Sequence, residues 1–152
     1  MAPPSPIGIP QFARAAGTIF SGTVTAILRK PPNHQPIETV AITFHVDQAL
    51  RGATPGDSVT ISQWMALWSS GQSYRVGERV MLFLYPPSRL GLTSLVGGEL
   101  GRFHVDLAGR VLLNPQHQSA FRNDPIIGGK SRVRVSDFAS ALSRAGREES
   151  RP

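Results

Sequence analysis

From Glu38 to Tyr85 the apolar and polar residues describe two strands flanking a shorter third. In Thr39–Asp47 the side chains of Val40, Ile42, Phe44 and Val46 fall on one side of an extended chain, with Thr39, Thr43, His45 and Asp47 on the other. Successive strand residues point to opposite faces, so this period-two alternation predicts a half-buried strand. Ser58–Ser62 alternates in the same way after the turn formers Pro55, Gly56 and Asp57. Arg79–Tyr85 differs. Val80, Met81, Leu82, Phe83 and Leu84 are apolar without a break, as expected of a strand covered on both faces.

The same reading extends outward from this centre. Residues 1–16 form an extended, proline-rich arm in which Gln11–Ala16 makes one or two helical turns, stopped by Gly17. Thr18–Leu28 is a first strand, and Gly22 interrupts its alternation as a bulge or coiling point. The prolines at 31, 32 and 36 make the next stretch a loop joining two strands as a long hairpin. The second strand covers 38–50 and the third ends near Trp64. Met65–Ser73 has no clean period and is expected to be an irregular loop. A strand at 92–96 follows the fourth, then another at 101–106, a tight turn at Ala108-Gly109 and a short strand at 110–113. Residues 114–129 are polar and turn-rich. Lys130–Val135 alternates again, and Ser136 caps a helix over 137–145, with Gly146 just past its end. Phe138, Leu142 and Ala145 form its apolar face, which is expected to pack across an end or side of the sheet. Residues 147–152 read as a polar tail. Short antiparallel strands with one terminal helix predict an all-β, mainly antiparallel domain over 17–146, a barrel or a sandwich. A closed barrel would remove the sheet edges.

At 152 residues the chain fits one domain, able to bury roughly 68–70% of its unfolded surface without disulfide or metal. It contains no cysteine, which excludes disulfide scaffolds, thiolate zinc sites and cysteine nucleophiles. The net charge is +6, carried by 14 Arg and two Lys (Lys30 and Lys130). Such a balance suits an anionic partner, although an Arg-rich, Lys-poor composition also follows from genome base composition. No apolar run reaches the 18 or so residues of a membrane-spanning helix. The first ten residues lack the basic and apolar regions of a signal peptide. Two settings follow: a cytoplasmic protein, or an exported one, periplasmic or extracellular, whose mature segment has Met1 added.

Three pieces in order carry a resemblance: Ile19–Val24, Phe44–Gly52 and Tyr74–Leu84. Their layout, Gly-x-Val, then Leu-Arg-Gly, then Val-Gly-Glu-Arg before Leu-Phe-Leu, resembles uncharacterised bacterial exported proteins. It is also similar to netrin-like modules and tissue inhibitors of metalloproteinases. The resemblance spans residues 18–106 and implies an OB-type five-stranded barrel; with the strands and terminal helix read above, the expected fold is an OB-like barrel of five to six strands with a short C-terminal helix. Those inhibitors reach a catalytic zinc through an N-terminal cysteine, which this chain lacks, so no inhibitory residue carries over.

Candidate chemistry is sparse. Gly128-Gly129-Lys130-Ser131 imitates the end of a phosphate-binding loop, but Asp124 stands where the first glycine is needed and an alternating segment follows instead of a helix. A turn into an edge strand accounts for it better. His34, His45, His104 and His117 show no paired spacing. His45 and His104, with Asp47 and Asp106, would form a metal cluster only if the second and sixth strands were neighbours; solvated polar stripes explain the same residues. No Gly-x-Ser-x-Gly elbow is present, and Glu148-Glu149 lies in the tail, where nothing positions it for acid catalysis. Arg102, Arg110, Lys130, Arg132 and Arg134 make a basic stripe, the kind an OB barrel pairs with stacking aromatics to hold single strands. The strand phenylalanines are expected to face inward, which favours reading the stripe as a solvated edge. Trp64, Met65, Leu67 and Trp68, with Tyr74 nearby, mark a partner-binding patch or a cap over the core; the cap is the slightly favoured reading.

The expectation from sequence is thus a non-catalytic binding or structural module of an exported protein. It needs no cofactor and meets a protein or small ligand through the Trp64–Trp68 patch. A nucleic-acid-binding barrel using the basic stripe is the alternative, and a metal-dependent hydrolase built on His45 and His104 is a weaker third.

Overall fold

The computed structural model describes residues 8–32, 37–69 and 71–149. The N-terminal arm over 1–7, the loop at 33–36 with His34, Ser70 and the end of the tail at 150–152 lie outside the described residues. Among the described residues no helix is long and apolar enough to cross a membrane.

The uninterrupted apolar run becomes strand β4 (Arg79–Leu84), and its two faces enter two different cores. It belongs to a five-stranded antiparallel sheet formed with β1 (Thr18–Lys30), β2 (Thr39–Arg51), β3 (Ser58–Trp64) and β5 (Arg102–His104) in the order β3-β2-β1-β4-β5. Val80, Leu82 and Leu84 join Phe20, Val24, Ile42 and Phe44 inside the curl of the sheet. Met81 and Phe83 point the other way, toward Phe12, Phe103, Phe121 and Phe138, which come from β5 and three helices. Those helices are α1 (Ile9–Ala15), α3 (Pro115–Phe121) and α4 (Val135–Glu149).

The doubly apolar β4 explains why the expected closed barrel is not formed. A barrel of this size would leave Met81 and Phe83 facing water, whereas covering them with helices removes each from solvent, worth about 1.5–3 kcal/mol per side chain. The sheet is therefore open, with β3 and β5 as its edges. The segment expected as a strand at 92–96 makes isolated bridges only, Leu92 to Ser62 of β3 and Leu95 to Leu84 at the end of β4.

Other boundaries moved for local reasons. Gly22 does sit at a register shift between β1 and β2: a Cβ there would lie 2.6 Å from the carbonyl oxygen of His45. The turn after β5 closes through Asp106, whose amide donates to the Arg110 carbonyl (2.9 Å), but β6 (Arg110–Leu112) then leaves to pair with β7 (Arg132–Arg134) in a separate two-stranded ribbon. The stretch read as turn-rich contains α3, capped by Asn114 with Pro115 opening the first turn. Helix α4 runs for 15 residues, through Gly146 and past the expected start of the tail. Ser136 lies inside it; the Asp137 carboxylate accepts the Arg134 amide at 2.8 Å instead. Gly128-Gly129 leads into β7, not a helix.

Candidate binding groove and basic ribbon

The tryptophan-rich stretch is not an irregular loop but a single helical turn, α2 (Met65–Ser69), continuous with β3. Its side chains divide between two tasks. Met65 and Trp68 pack against the inner core, and Trp68 meets Tyr74 edge-on with ring centroids 6.4 Å apart. Tyr74 is buried and stacks edge-on against Phe44, so it offers no surface to a partner. Trp64 and Leu67 lie on the other side of the turn and line a groove of about 660 Å³. Trp64 also lines a neighbouring hollow with Ile37, Glu38 and Ala66.

The opposite wall of the groove is the 85–94 loop, whose last residues were expected in a strand at 92–96 and which sequence reasoning did not single out as a site. Pro86 and Pro87 withhold backbone donors after β4, so the chain leaves the sheet there. The loop then ties itself together. Ser88 Oγ accepts the amides of Leu90 and Leu92, each at 3.3 Å, and the Thr93 hydroxyl donates to the Tyr85 carbonyl at 2.5 Å. The Thr93 amide donates to the Ser62 carbonyl at 2.9 Å, fastening the loop to β3. Because these polar groups are engaged within the loop, what faces the groove is chiefly Tyr85, Pro86, Leu90 and Leu92, with Arg89 as its charged member. The available signal was the Tyr85-Pro86-Pro87 break followed by Leu90 and Leu92 in a loop.

Burial pushes the Tyr74 phenol above the usual tyrosine range, with the Arg102 guanidinium opposing the shift. Arg102 does not belong to an exposed stripe. It is largely buried, with its guanidinium carbon 5.2 Å from the centre of the Tyr74 ring. It donates to the carbonyls of Ser73 and Gly71 and to Glu99. The remaining members of the stripe do come together. Arg110 and Arg134 are direct cross-strand partners on the β6–β7 ribbon, and Arg132 is the next outward residue along β7. All three are exposed, as is Lys130, while Val111 and Val133 anchor the inner face of the ribbon in the core.

The histidine cluster is not assembled. β1 and β4 lie between β2 and β5, so His45 and His104 stand three strands apart across the sheet. His45 lies 3.9 Å from Asp47 and His104 lies 3.6 Å from Glu78, pairs that each stay on their own part of the surface. Among the described residues no three His, Asp or Glu side chains are grouped to hold a metal. His117, which sequence showed only to lack a paired partner, is buried in the outer core and stacks on Phe103.

No family model matches the chain, and no curated protein matches it. The groove and the ribbon are then the features that speak for a function.

Proposed function

We propose that this chain is a non-catalytic binding module whose contact site is the groove between α2 and the 85–94 loop. One observation carries this reading: Trp64 at the end of β3, and Tyr85 and Leu90 of the 85–94 loop, are 50%, 40% and 72% exposed and converge on one concave surface. Large apolar side chains gathered in this way mark binding surfaces more often than chance exposure, and the hollow has the size of a small-ligand site. The hydrogen-bonded loop holds the groove open before any ligand arrives, which limits the ordering entropy that binding would oppose. Arg89 at the rim suits a ligand with an apolar body and one acidic group.

In this reading the curled sheet is OB-like, with the Leu92–Leu95 bridges spanning from β3 to the end of β4 at one end of the curl. The resemblance to exported bacterial proteins extends the proposal to an exported setting.

Titration with the anionic, apolar dye anilinonaphthalene sulfonate tests the site. The wild type is expected to bind one dye with quenching of Trp64, and Trp64→Ser or Leu90→Ser to weaken it about tenfold or more, the loss of roughly one buried apolar side chain. Dye binding that is absent, or indifferent to both substitutions, overturns the proposal.

A further inference from the structure

We propose that the outward face of the β6–β7 ribbon is a second, separate site, which holds the phosphate backbone of a single-stranded nucleic acid. Arg110 and Arg134 stand directly opposite one another, a position at which Cβ atoms approach to about 4.5–5.5 Å and like charges repel. The register cannot slip to relieve this. A shift by one residue would turn Val111 and Val133, both buried, out to solvent. The fold thus fixes two guanidinium groups side by side, and Arg132 continues the row about 6.6 Å further along the same face.

Two carboxylates close to the row bond to backbone amides and not to its guanidinium groups. Asp106 Oδ1 accepts the backbone amides of Ala108 and Arg110 at 3.0 and 2.9 Å, and Asp137 Oδ2 accepts the Arg134 amide. Each shapes a turn or helix start, and none of Arg110, Arg132 and Arg134 forms an ion pair among the described residues. An oxyanion between Arg110 and Arg134 would replace repulsion with paired, charge-assisted hydrogen bonds.

The cations lie in a line along an extended strand, and that arrangement favours a chain of phosphates over a single ion. The row carries no aromatic side chain, so bases would not be stacked. Binding would then rest on phosphate contacts alone, indifferent to base sequence and steep in salt. Leu112, the apolar residue in the row, is half-buried, which leaves little to insert into a bilayer and argues against a membrane surface.

Fluorescence anisotropy of labelled oligothymidylate at several salt concentrations tests this. Three phosphate contacts on a single strand predict a log–log slope near −2, so raising salt from about 50 to about 200 mM should weaken binding about 20-fold. Arg110→Gln with Arg134→Gln should cut the slope to about −0.7 and the low-salt affinity by about tenfold or more. Arg75→Gln, at an exposed arginine that belongs to neither strand of the ribbon, should change neither. Circular dichroism confirms that each variant is folded. The site is refuted by a wild type that does not bind at low salt, by a double variant that binds equally well, or by capture on phosphatidylserine vesicles without oligonucleotide binding. Each of these outcomes leaves the apolar groove untouched, and failure of the dye titration leaves the ribbon untouched.

Discussion

His117 lies flat against Phe103, with ring centroids 4.0 Å apart and planes inclined by 22°. Its Nδ1 accepts the Asn114 amide at 3.2 Å while its own amide donates to the Asn114 side chain at 2.8 Å, so one residue serves both the cap of α3 and the outer core. The ring must therefore be neutral, with its proton on Nε2, which finds no partner among the described residues. Burial lowers its pKa from 6.5 to about 4, and the nearby carbonyls of Glu99, Arg102 and Leu100 oppose that shift only partly.

A pH dependence follows with a definite sign. The unfolded chain takes up this proton as pH falls through 6.5, whereas the folded protein resists until about 4. Between these values the unfolded state binds more protons, so stability is whole above the window and falls through it. The loss levels off at about 3 kcal/mol below the window. His117→Phe preserves the stack and removes the titration. The gap in urea midpoint between wild type and variant should then shift in the variant's favour from pH 7 to pH 4, and a gap that stays constant with pH would contradict a buried neutral ring.

Gly22 offers a test of the inner core. It lies at a register shift where β1 crosses between its partners β2 and β4, and an added Cβ would meet the backbone carbonyl of His45 at 2.6 Å. A backbone oxygen in the sheet cannot rotate aside as a side chain can. Gly22→Ala is expected to destabilise the fold by about 2–3 kcal/mol, read from equilibrium urea unfolding. A variant within about 0.5 kcal/mol of the wild type, the range of an ordinary surface change, would mean that the bulge relaxes freely.

The strands were legible because Thr39–Asp47 alternates apolar and polar residues with a period of two, while Arg79–Leu84 is apolar on both faces. Even the two-sided burial of β4 could be read from its unbroken apolar run. The cover on its second face could be read only in part: the Phe138, Leu142 and Ala145 face of α4 was expected to pack on the sheet, and it does. Helix α3 hid behind a polar composition, since His117 and Phe121 are the side chains it buries most fully, although Asn114-Pro115 is a legitimate start signal. The split of α2 between cap and groove was similarly hidden: Trp64 and Trp68 look alike in sequence, and only the turn that joins them sends one outward and one inward. Strand order governed the rest. His45 and His104 alternate outward as expected, but the two strands placed between them decide that they never meet.

Arg102 shows how far a charge in a strand pattern can differ from a charge on a surface. Its guanidinium fork reaches the carbonyls of Gly71 and Ser73, so the segment behind α2 is held down by two backbone acceptors and by the face of Tyr74. Hydrogen bonds to a charged group contribute about 1.5–3 kcal/mol each, and the acceptors left behind would be poorly solvated. Arg102→Gln should therefore lower stability by about 2 kcal/mol or more and blue-shift nothing at Trp64, while loosening the packing of Trp68 enough to raise its acrylamide quenching. Arg102→Lys should rescue little, because a single ammonium lacks the planar fork that spans both carbonyls. Oligonucleotide affinity should stay within about twofold of the wild type in both variants, since neither removes a ribbon phosphate contact. A stable Arg102→Gln protein that has lost its oligonucleotide binding would return Arg102 to the basic stripe and undo its assignment as an anchor.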